Sequence, residues 1–175
     1  MTTKRMVLAL CFVMAASPAF RPALDACGDK SLSAGGIRMQ RAIAARYPAS
    51  VLAYVPAASR LATARGELKM QETLRLVGHK YHEVATLSEL QASVLTGQFN
   101  IVVADLADAA ELQRRVESAP SPVVVVPVAY KLTKPESGEA AKQNRFLVKA
   151  PGRAAHFLST IAEAVRSGSG TPRKG

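Results

Sequence analysis

Tryptophan is absent from this chain and aromatic residues make up only 5% of it. Base stacking needs exposed rings, so no nucleic-acid partner is expected. Cysteine is nearly as scarce: there are two, Cys11 and Cys27. Cys11 lies in an amino-terminal apolar run, so once that run is removed no intramolecular disulfide can form. Long blocks of one charge are missing as well. The net charge of +10 is dispersed over Arg38, Arg41, Arg46, Arg60, Arg65, Lys69, Arg75 and later positions. A diffuse excess reads as a solvated surface, or in the sharper alternative as weak attraction to anionic lipid or polysaccharide.

Several reaction chemistries lack their residues. No serine sits in a nucleophile elbow, and Gly35-Gly36 has neither the further glycines nor the Lys-Ser or Lys-Thr of a phosphate loop. His79 and His82 are three apart on an expected strand, which turns their rings to opposite faces and denies them a shared ion. Both are expected at a surface or edge. His156 has no acid or nucleophile at a fixed spacing. No metal, cofactor or catalytic set is expected.

What is present begins with Met1-Thr2-Thr3-Lys4-Arg5 and an apolar run from Met6 to about Phe20. A basic start, an apolar core too short for a comfortable span and small residues after it read as a secretory signal over residues 1–26. Cleavage fits after Ala26 or nearer Ala16 and Ser17. Leu24-Asp25-Ala26-Cys27 also admits a lipoprotein reading, with Cys27 acylated and the chain tethered to a membrane. Loss of residues 1–26 removes Lys4, Arg5, Arg21 and Asp25 and lowers the charge from +10 to +8. The expected location is the periplasm, with a membrane-anchored lipoprotein as the alternative.

The full chain of 175 residues is 49% apolar, enough for one core. Residues 27–49 read as an extension with a short helix from Gly35 to Arg46, 50–167 as one α/β domain, and 168–175 as a disordered tail. Asn100-Ile101-Val102-Val103-Ala104-Asp105 is the central strand: a β-branched run without alternation is buried on both faces. Ser50 to Val55 is the first strand, closed by Pro56. Residues 60–77 carry helical periodicity, with Gly78 as the carboxyl cap. Lys80 to Ala85 alternates as a wetter edge strand, and Ser88 with Glu89 starts the next helix. Ala107 to Ser118 is helical. Val123 to Val126 is a strand ended by Pro127, residues 129–144 are loop and a short polar helix, Arg145 to Lys149 is the fifth strand, and Ala154 to Arg166 the closing helix. Five strands alternating with helices predict a three-layer αβα fold with a parallel sheet ordered 2-1-3-4-5. Its switch point lies between the first and third strands, beside Asp105.

The segment from about Ser50 to Val165 resembles the receiver domains of two-component response regulators. The stretch from Gly78 to Leu106 carries the resemblance best, and Leu147-Val148-Lys149 followed by Pro151 is similar to the family's fifth strand with its lysine. The resemblance implies that Asp105 matches the phosphoacceptor and Lys149 its lysine. It also implies a Mg²⁺ site at positions that here are Val55 and Pro56, and a hydroxyl at a position that here is Pro127 or Val128. Phosphotransfer is therefore not expected, since one carboxylate and a lysine hold no divalent cation firmly. Two roles for Asp105 follow: a structural carboxylate that caps the next helix near Ala107 or pairs with Lys149, or the floor of a ligand pocket formed with Lys149, Val55, Pro56 and Pro127. By the same resemblance Tyr130, Lys149 and Phe157 are candidate contact residues for a protein partner or a homodimer. The leading expectation is a non-catalytic interaction or ligand-sensing module. A small-molecule binder or enzyme at the Asp105/Lys149 pocket and an electrostatic envelope binder are the alternatives.

Overall fold

The computed structural model describes residues 34–169. The expected leader, both cysteines, the expected cleavage points and residues 170–175 lie outside the described residues. In chain order the elements are α1 (Ala34–Arg46), β1 (Ser50–Tyr54), α2 (Leu61–Glu67), α3 (Met70–Val77), β2 (Lys80–Val84), α4 (Leu87–Leu95), β3 (Ile101–Asp105), α5 (Ala109–Val116), β4 (Val124–Tyr130), α6 (Lys134–Gln143), β5 (Val148–Ala150) and α7 (Ala154–Ser169). All strand pairs are parallel and the sheet order is β2-β1-β3-β4-β5, a three-layer flavodoxin-like arrangement. The expected fold and the expected edge position of β2 are both observed. Among the described residues no helix is long and apolar enough to cross a membrane.

Strand alternation divides the side chains between two cores. On one face Val51, Ala53, Ile101, Val103, Val126, Val128, Val148 and Ala150 pack under α2, α3 and α7. On the other Leu52, Tyr54, Val102, Ala104 and Val125 pack under α4 and α5. A small third cluster, Ala129, Ala140 and Leu147, seats α6. The register Asp105↔Val128 and Ala129↔Lys149 carries this division to the strand ends.

Several boundaries differ from the expected ones. The helix expected over 60–77 is broken at Lys69, whose φ of 46° is left-handed. Leu68 and Met70 on either side are both 1% exposed. In one continuous helix, residues two apart project about 200° from each other, so the break is what buries both. Pro127 does not end its strand but sits inside β4. Val124 N donates to Asn100 O and Leu106 N to Val128 O, so the even positions of β4 bond to β3. The nitrogen of Pro127 thus faces β5, whose paired residues begin only opposite Val128, and no ladder bond is lost. The N-cap of α4 is Thr86 rather than Ser88: its side chain accepts from Glu89 N while Glu89 binds the N–H groups of Ala85 and Thr86. The fifth strand spans Val148–Ala150, later than expected. Gly168 and Ser169 belong to α7 instead of the tail.

Candidate functional site

At the carboxyl ends of β1, β3 and β4 lies a cleft of about 500 Å³, lined among others by Pro56, Ser59, Arg60, Asp105, Asp108 and Tyr130. It sits at the switch point, where crossovers leave on both sides and the strand ends part. Asp105 closes β3 and is 9% exposed. Its Oδ1 accepts from Ala107 N at 3.1 Å and its Oδ2 from Ser59 Oγ at 3.2 Å. Ser59 Oγ in turn accepts from Leu61 N at 3.0 Å, so one carboxylate ties the turn after β3 to the start of α2. Both of its oxygens are engaged by the chain itself.

Asp108, half-buried at the start of α5, makes no cap bond to that helix. Its carboxyl is pushed above the usual range, first by burial and then by the charges of Asp105 and Glu111. Arg60 supplies the cleft's guanidinium. Tyr130 is fixed at the rim, where its hydroxyl donates to Glu67 Oε1 at 2.8 Å and Lys131 lies over its ring at 5.1 Å. The cleft can offer a carboxyl and a guanidinium to a small polar group. No cluster of three metal-ligating side chains occurs among the described residues.

The expected residues are not all brought together. Val55 is buried in the core and donates its N–H to Val84 O, while Pro56 lines the cleft. Lys149 is exposed at the sheet edge and does not line the cleft. Asp105 follows Ile101 and Val103 to the face under α2, α3 and α7, whereas Lys149 follows Leu147 and Ala129 to the opposite face. The two therefore share neither an ion pair nor a pocket floor. The position on Asp105's face at the end of β5 is Ala150. Pro127 lines a different cleft, between α5 and α6. Phe157, expected at a contact surface, is 0% exposed within the core, because it shares the buried stripe of Leu158, Ile161 and Val165. Of the three candidate contact residues Lys149 alone is fully on the surface.

His79 corrects another expectation. It is 6% exposed rather than at the surface, and its Nδ1 accepts from Ala49 N at 3.1 Å. That bond requires Nδ1 to be unprotonated and leaves the proton on Nε2. Burial lowers its pKa below the ordinary 6.5. Asn100, ahead of β3, is a second residue whose role no motif announced: Oδ1 accepts from Ser50 N at 2.9 Å and Nδ2 donates to Pro48 O at 3.0 Å, locking β1 against β3. Ser59 carries no local signal either, since its partner is 46 residues away.

No protein-family model matches the chain, and no curated protein or solved structure matches it.

Proposed function

We propose that this chain is a receiver-like interaction module, exported to the periplasm, that transfers no phosphoryl group. The observation that carries the reading is the engagement of Asp105, whose two oxygens take donors from Ala107 and Ser59 while Lys149 lies on the other face of the sheet. A phosphoacceptor needs cations beside it to neutralise the transferring group. Val55 and Pro56 stand where receiver-like metal binding would need carboxylates. The order basic, apolar, small over residues 1–26 supports export.

The partner in this reading is an acidic protein segment that meets the β5 edge. Arg145, Lys149 and Arg153 are exposed before, on and after this edge strand, and none pairs with a carboxylate among the described residues. A two-fold contact through β5 would set Lys149 against its own counterpart, which disfavours a second copy of the chain. Fluorescence anisotropy with an oligo-glutamate peptide tests the surface. Binding is expected to weaken about tenfold in a Lys149→Glu, Arg153→Glu variant and much less when the same charge change is made at Arg38 and Arg114. Equal losses in both variants would mean diffuse attraction and overturn the edge as the docking surface.

A further inference from the structure

At the end of the sheet opposite Asp105, a second cleft of about 850 Å³ opens between β2, α3, α4 and the lead into β3. Arg75, His79, Lys80, His82, Ser93 and Phe99 line it with other polar side chains, and no carboxylate does. Arg75 and Lys80 are exposed and take part in none of the ion pairs among the described residues. His79 is the buried member. Its Nδ1 is used by Ala49 N, so the donor left over is Nε2–H. No buried side-chain nitrogen or oxygen among the described residues lacks a partner. Nε2, for which no partner occurs among the described residues, therefore reaches the surface, and the cleft that His79 lines is this one. The rings of His82 and Phe99, 5.9 Å apart and inclined by 32°, form an aromatic side to it.

Two unpaired cations, a fixed N–H donor and hydroxyls, with no competing acid, select a negative charge. The rings beside them select a flat apolar body. We infer that this cleft binds a small oxyanion carried on an aromatic ring, with its oxygens met by Arg75, Lys80 and His79 Nε2–H and its ring set against His82 and Phe99. The site is independent of the β5 edge, which lies at the other side of the sheet, so either can fail alone.

Amide NMR titrations of the purified protein with phenyl phosphate and with benzoate test it. At least one of the two is expected to give saturable shifts at Ser50, His79, Ser93 and Phe99, and to bind more tightly than inorganic phosphate, which lacks the ring. Benzylamine, with the ring and the opposite charge, is expected to give none. Arg75→Gln, and separately Lys80→Gln, should each weaken binding about tenfold, the usual loss for a charge-assisted hydrogen bond. No saturable shift with either anion, equal shifts with benzylamine, equal affinity for inorganic phosphate, or unchanged affinity in both variants would overturn the inference.

Discussion

Asp105 and His79 are the two buried polar side chains whose partners lie farthest from them in sequence, and each accepts a hydrogen bond from a distant part of the chain. Removing one side of such a bond leaves a buried donor without its acceptor. Asp105→Ala is therefore expected to cost about 1 to 2 kcal/mol of stability, read from urea unfolding, by freeing Ala107 N and Ser59 Oγ. For His79 the sign follows from burial. Its folded pKa is lowered, so below pH 6.5 the unfolded chain takes up a proton that the folded chain refuses. The stability His79 contributes is complete above pH 6.5 and is lost as the pH falls toward its folded pKa. The urea midpoint is expected to drop less between pH 7.5 and pH 5 in His79→Asn, which keeps an acceptor but does not titrate. An equal drop in the two chains would contradict the assignment.

At the scale of elements, most of the fold was legible because uninterrupted β-branched runs mark strands covered on both faces, and apolar residues at helical spacing mark the covering helices. Gly78 at φ 99° closes α3 as expected, with Gly78 N bonded to Arg75 O and His79 N to Leu74 O. The break at Lys69 was not legible, because Leu68 and Met70 both suit a helix and only the core requires both to face inward. Lys69 holds a left-handed conformation that glycine adopts without penalty. Lys69→Gly is accordingly expected to raise stability by up to about 1 kcal/mol in thermal or urea unfolding; a loss of that size would mean that the lysine side chain itself holds the break. The separation of Asp105 from Lys149 was equally hidden. Which face a strand residue takes relative to another strand depends on register, and a slip of one residue reverses it. Phe157, by contrast, lay on a stripe visible in the sequence, and its assignment to a surface came from the resemblance rather than from that spacing.

The whole molecule has two chemically different ends. The carboxyl ends of the strands gather Asp105 and Asp108 around a cleft at the switch point, and the amino ends gather Arg75 and Lys80 around a cleft without acids. Between them the sheet is apolar on both faces, and its β5 edge carries unpaired cations. In the proposed reading the molecule binds at its ends and edge; among the described residues Asp105 has neither Lys149 nor a cluster of metal-ligating side chains beside it. The most direct check is the intact mass of the protein after incubation with acetyl phosphate and Mg²⁺. The mass is expected to stay unchanged, because among the described residues neither a cluster of metal-ligating side chains nor Lys149 stands beside Asp105 to neutralise a transferring phosphoryl group. A gain of one phosphoryl group that disappears in Asp105→Asn would show a working phosphoacceptor and contradict the account.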